Sequence, residues 1–143
     1  MAITVQNAIE IISKLNINTN YEIVPIENSI SRICAKQIIA ISILPKFDNS
    51  AMDGYAIIYE NKNNELEIID TIFAGDNNEK LLKENSCIKI MTGARIPANT
   101  TAIIPKEDIQ ELNDNKIIIK QNVKEFQHIR YIGEDIKKDE LLI

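Results

Sequence analysis

The stretch "IQELNDNKIIIK", residues 109–120, decides how the rest of the chain is read. Two β-prone runs, Ile109–Leu112 and Lys116–Lys120, flank the turn-formers Asn113, Asp114 and Asn115. Apolar runs broken by a short Asn/Asp tip predict a β-hairpin. Working back from it, "TAIIPKED" (101–108), "SCIKIM" (86–91), "ELEIIDTIFA" (65–74) and "GYAIIYE" (54–60) are further short runs with strand character, each bounded by turn residues. "QIIAISILP" (37–45) is β-branched and apolar up to Pro45 and predicts another strand. "HIRYIGEDIKKDELLI" (128–143) contains two extended runs around Gly133.

Only the start of the chain has helical period. Thr4 to Leu15 predicts a helix capped by Thr4, with Val5, Ala8, Ile9 and Ile12 on one face and "NINTN" (16–20) as its stop. "YEIVPI" (21–26) predicts a short extended piece, and "NSISRICA" (28–35) one or two helical turns capped by Asn28 or Ser29. The expected fold class is mainly β with an N-terminal helix (α+β): a mixed arm followed by a β-rich, barrel-like lobe.

Composition narrows the function. The 143 residues are 45% hydrophobic and 26% charged, which is globular usage with room for one domain or two small lobes. Acids and bases balance over 1–45, stand at thirteen to ten over 46–124, and at five to three over 125–143, for a net charge of −5. There is no basic stripe and no Trp, which argues against nucleic acid as a partner. No apolar run approaches the roughly 18 residues of a membrane helix, and "MAITVQNAIEIISKLN" lacks the basic region and cleavage site of an export signal, so a cytoplasmic location is expected. Cys34 and Cys87 stand alone in apolar settings and are expected to be buried, reduced thiols. The chain's apolar ending, "ELLI", suits either a truncated chain or a terminal strand docked in a sheet.

Three loops carry chemistry-bearing side chains. In "FDNSAMDG" (47–54), Asp48, Asn49 and Ser50 are turn-formers, Gly54 accepts a positive φ, and Met52 suggests a partly buried floor. A calcium loop fails on spacing: counted from Asp48, Gly54 falls at position 7 and Tyr59 at position 12. Asp53 is not needed to start the turn, which leaves it free for a site. "MTGARIP" (91–97) offers the Thr92 hydroxyl and free amides at Gly93, a small anion cradle, with Arg95 as added charge. "IGEDI" (132–136) offers Glu134 and Asp135, which would point to opposite faces of a strand, so that only one could join a shared site. Each loop also reads as an ordinary turn. The single histidine, His128, reads as a packed or surface side chain; a Ser50–His128–Asp triad stays open, although no nucleophile-elbow glycines surround Ser50.

In this order, "LPKFDNSAMDGYAI", "CIKIMTGARIPANTTAIIPKED" and "HIRYIGEDI" resemble the N-terminal part of the molybdopterin molybdenumtransferases, the MoeA and gephyrin E-domain family; "SISRICAKQIIA" is similar to that family's Gly-Arg-x-Leu-Ala segment. The resemblance implies part of a transferase of molybdenum cofactor biosynthesis, which inserts molybdenum from molybdate into adenylylated molybdopterin with a divalent cation such as Mg²⁺. It implies that 1–45 and 125–143 form an incomplete elongated domain I and that 46–124 forms a β-rich domain II with coiled sheets. The pterin-binding and C-terminal domains would be absent, and the fragment inactive alone. Implied partners are a second copy (the family works as a homodimer), the molybdopterin-adenylating protein and apo-molybdoenzymes. The family's functional positions fall on Asp53, Thr92 and Asp135 as catalytic residues, Thr92 and Gly93 as substrate-binding groups, and Asp53 and Asp135 as metal-binding groups. The alternative is a non-catalytic dimerisation or scaffold module that keeps the fold. Ser31 and Asn99 stand where the family commonly has Gly, and His128 where it has Asn; Asn99 is expected to keep a left-handed turn.

Overall fold

The computed structural model describes residues 3–16, 19–76, 80–113 and 115–143, and it divides into two compact units, Met1–Gln37 with Ile143, and Ile38–Leu142. The first unit opens with α1 (Val5–Ser13). Thr4 is extended, and its hydroxyl accepts the Asn7 N–H at 3.2 Å, satisfying one of the unpaired donors of the first turn. The helix stops before the expected Leu15; Ile17 and Asn18 of the predicted stop signal, like Met1 and Ala2, lie outside the described residues. The next helical turn lies at Ile26–Asn28 rather than within 28–35. Ser29, expected as an N-cap, closes that turn instead, its hydroxyl donating to the Ile26 carbonyl at 2.6 Å. No described residue of 3–37 is buried, and Val5, Ile9, Ile12, Ile23, Ile30 and Ile33 are exposed. One short helix has too few neighbours to enclose its apolar face. Cys34 is exposed too, contrary to expectation, because the segment around it has no core to enter; its thiol donates to the Lys36 carbonyl.

The second unit is β-rich. Its main sheet holds β2 (Gly54–Ile57), β3 (Leu66–Ile72), β4 (Ser86–Ile90), β5 (Ala102–Pro105), β6 (Ile109–Asn113) and β7 (Lys116–Ile119) in the order β5-β2-β4-β3-β7-β6. All neighbours run antiparallel except β3 and β4. The predicted hairpin is there, with Ile109 opposite Ile119 and Glu111 opposite Ile117; Asp114 of its tip lies outside the described residues.

This sheet curls. β5 and β6 are its two outer strands, five spacings apart, or roughly 24 Å if flat. Yet only the short helical turn Lys106–Asp108 connects them. The Tyr55 hydroxyl on β2 also reaches Glu111 on β6, at 3.3 Å, across four spacings, or roughly 19 Å in a flat sheet. A half-barrel brings these strands together. Its inside packs Tyr55, Ile57, Leu66, Cys87, Ile104 and Ile117. The alternate residues Ala56, Ile88, Ile90 and Ile103 face the other way and are covered by Leu82, Ala94 and Ile129. Both faces of β2 and β5 are therefore buried, which explains their unbroken apolar runs. Cys87 is inside as expected, and burial pushes its thiol up to about 12.

Two expectations change. Gly54 is not required for a positive φ; it starts β2, and a Cβ there would sit 2.0 Å from the Ile104 carbonyl oxygen of the next strand. And 37–45 forms no ladder. It meets 136–142 through scattered backbone bonds, around the isolated bridges Ile39–Leu141 and Leu44–Ile136 and from Ala40 to Asp139 and Glu140, without a continuous strand pair. The left-handed Asp139 (φ 65°) breaks the register, and Pro45 has no N–H to extend it.

Candidate active site

β1 (Asn49–Ser50) is the middle member of a small three-segment layer. On one side lies the loop after β4: Ser50 N–H donates to Ala94 at 3.0 Å, Gly93 N–H to Ser50 at 2.8 Å, and Ile96 N–H to Asp48 at 3.2 Å. On the other lies β8 (Ile129–Arg130), with Asn49 opposite Arg130 and Ser50 opposite Ile129. Asn49 and Ser50, expected as turn-formers, thus form a buried two-residue strand, and the turn begins only at Ser50. The Ser50 hydroxyl donates to the Met52 carbonyl at 2.6 Å and accepts the Met52 N–H at 3.3 Å. Buried and committed in this way, Ser50 is no nucleophile, and the His128 side chain is exposed; the triad reading fails. Met52 is 38% exposed and forms no buried floor, because the turn carries it outward.

The turn delivers Asp53 to Thr92. Asp53 Oδ1 accepts both the Thr92 N–H and the Thr92 hydroxyl, each at 2.8 Å. These bonds, the backbone one first, hold the carboxyl below its usual range. Asp53 Oδ2 accepts no hydrogen bond among the described residues. The anion cradle expected at Thr92 and Gly93 exists, but its donors are taken: Thr92 holds Asp53, and the Gly93 amide holds Ser50. Gly93 is left-handed (φ 78°), as the tight exit from β4 requires.

Asp135 sits in a turn that follows left-handed Gly133 (φ 70°), not in a strand. Glu134 and Asp135 consequently point the same way, and both reach Arg130. Nε of Arg130 donates to Glu134 at 2.9 Å, and its Nη2 to Asp135 Oδ2. Asp135 first and Glu134 second raise the guanidinium further. Arg130 escaped the sequence reading; its signal was an arginine four and five residues before two acids, with a glycine between to fold them back. Asp48, expected as a turn-former, sends Oδ1 to the Ile132 N–H at 2.7 Å instead. Arg95 stacks over the Phe47 ring at 4.6 Å, beside a cleft of about 400 Å³ that Asp48, Lys80 and Asn99 also line.

Asp53, Thr92 and Gly93 are therefore brought together, and Asp135 is tied to the same layer through Arg130. No hydrogen bond joins Asp53 to Asp135 among the described residues, and none of their His, Cys, Asp or Glu side chains forms a group of three able to hold a metal. The departures Ser31, Asn99 and His128 are all left-handed, with φ 63°, 67° and 57°.

Comparison with known proteins identifies the family. The family description "MoeA N-terminal region (domain I and II)" matches residues 3–143. The molybdopterin molybdenumtransferase of Haemophilus influenzae is 35% identical over 136 residues, covering 94% of this chain and 34% of that protein. Gephyrin of Dictyostelium discoideum is 30% identical over 156 residues, covering 97% of this chain and 22% of gephyrin. The crystal structure of the molybdopterin biosynthesis moeA protein from Pyrococcus horikoshii OT3 superposes with a TM-score of 0.74 at 31% identity, covering 84% of this chain and 33% of that one. The chain spans about a third of the length of the transferase relatives it matches. With the match extending from residue 3 to residue 143, the chain belongs to the family of MoeA N-terminal regions.

Proposed function

We propose that this chain supplies the first-half wall of an active site that inserts molybdenum from molybdate into adenylylated molybdopterin, a step of molybdenum cofactor biosynthesis. The observation that supports this most is the Asp53–Thr92 pair. Two donors fix one carboxylate oxygen and keep the group ionised, and the other oxygen accepts no hydrogen bond among the described residues. A scaffold module would use the tie to Thr92 but not the second, unbonded oxygen.

The chemistry follows from charge. Molybdate is a dianion, and a bare Asp53 repels it. The residues present suit a Mg²⁺ that keeps most of its waters and takes one carboxylate oxygen from the protein, the rest coming from substrate. Asp53 Oδ2 is the ligand such an ion would use. When bound, it would offset the repulsion between carboxylate and oxyanion. Asp135, paired with Arg130, would have to exchange that partner to ligate. Loss of oxo groups as water consumes protons that solvent supplies; Asp135 would join that relay only after leaving Arg130, which pairs with it as a carboxylate. Thr92 acts through Asp53, by keeping it ionised and aimed. Residues 1–45 with 125–143 correspond on this reading to domain I and 46–124 to domain II. A second copy, the molybdopterin-adenylating protein and apo-molybdoenzymes are the partners, in the cytoplasm.

The test joins residues 1–143 to the remaining domains of a transferase relative. Asp53→Asn in that chimera is expected to lower molybdate insertion at least about 100-fold. Full activity would overturn the reading.

A further inference from the structure

We propose that Asp48 is the positioning residue that sets where the Glu134–Asp135 turn stands relative to Asp53. This rests on the reading of the site just given. Asp48 grips both neighbours of β1 at once. Its carbonyl accepts the Ile96 N–H at 3.2 Å, in the loop that carries Thr92. Its carboxylate Oδ1 accepts the Ile132 N–H at 2.7 Å, 84 residues away in sequence.

The second bond falls where the backbone ladder has run out. β8 ends at Arg130, and the next main-chain anchors of the loop, Gly133 to Pro45 at 2.9 Å and Asp135 and Ile136 to Leu44 at 3.0 Å, reach the residues just upstream of Asp48 and hold only the far side of the turn. Between Arg130 and Gly133, the link from the β1 segment to this loop is the Asp48 carboxylate. An N–H bonded to a carboxylate is shorter and stronger than a neutral pair. It fixes the start of a turn whose left-handed Gly133 then folds Glu134 and Asp135 back onto Arg130. Without it, Arg130 stays in place through β1–β8 pairing and the far side of the turn stays on Leu44 and Pro45, while Tyr131 and Ile132 lose their tie to the β1 run and the two acids are held less tightly. Asparagine keeps an acceptor oxygen at the same position and is the conservative variant.

Amide hydrogen exchange on the 143-residue chain and steady-state kinetics on the chimera test this together. Asp48→Ala is expected to speed exchange at Ile132 at least about tenfold. In the chimera it is expected to lower kcat about 10- to 100-fold with the KM for molybdate within about twofold, the size seen when an outer partner of a ligand is lost. Asp48→Asn is expected to restore both. Asp48→Ala with unchanged kcat, beside an inactive Asp53→Asn, would overturn the role of Asp48 alone. Equal damage from Ala and Asn would overturn it as well. Full activity of Asp53→Asn would instead overturn the site reading, and Ile132 exchange unchanged in Asp48→Ala would overturn the anchor itself.

Discussion

At the scale of single residues, backbone conformation and protonation decide most. Asp53 has its pKa lowered in the folded chain by the Thr92 bonds. A depressed carboxyl contributes stability that is complete above the unfolded value of about 4 and is lost as pH falls through the folded value. Asp53→Asn is therefore expected to be less stable than the natural chain at pH 7, with a smaller gap at pH 3, below the unfolded value. Urea unfolding at both pH values measures it, and a gap of equal size at both would refute the assignment. The left-handed residues give a second expectation. His128 (φ 57°) carries a Cβ where glycine has none, so His128→Gly is expected to stabilise by about 1 kcal/mol, and Asn99→Gly by less. Gly54→Ala goes the other way, by about 3 kcal/mol or to loss of folding, because its Cβ meets the Ile104 carbonyl. Denaturant midpoints order the three, and a stabilised Gly54→Ala would contradict the packing described.

At the scale of elements, local pattern announced the strands that pair in the main sheet. Leu66–Ile72, Ser86–Ile90 and the Ile109–Ile119 hairpin all stand where their β-branched runs and turn residues put them. The same pattern misled over Gln37–Pro45, because propensity reports that a segment extends and says nothing about whether a partner strand keeps register beside it. The site was legible in part for the same reason. Asp53, Thr92 and Asp135 came from motif resemblance, but the Asp53–Thr92 contact spans 39 residues and the Asp48–Ile132 contact 84. No local rule reaches that far. Burial of the two cysteines was likewise a question of which element each joins. Cys87, on central strand β4 with its thiol at about 12, is expected to resist alkylation at pH 8 in the native chain, whereas exposed Cys34 reacts. Peptide mass spectrometry after brief iodoacetamide treatment reads this directly; equal labelling would place Cys87 outside the core.

At the scale of the whole molecule, the two units differ in kind. Ile38–Leu142 carries every buried residue among those described, and Met1–Gln37 carries exposed isoleucines. Apolar side chains left exposed in this way favour association when they adjoin. The chain by itself is expected to associate, and Ile9→Glu with Ile12→Glu to lower its sedimentation coefficient toward that of a 16.2 kDa monomer. An unchanged coefficient would remove α1 from the contact. The 143-residue chain alone is also expected to show no molybdate insertion, since it spans about a third of its transferase relatives. Detectable turnover would refute that. The middle position of β1 has one more consequence. Because its two residues hydrogen-bond the Thr92 loop on one side and β8 on the other, β1 is a support that two parts of the site share. A fluctuation that frees Asn49 and Ser50 loosens the Thr92 loop and β8 together, whereas the Glu134–Asp135 turn keeps its own bonds to Leu44 and Pro45. In an assembled enzyme, loss of function on heating would then come several degrees before the melting of the sheet.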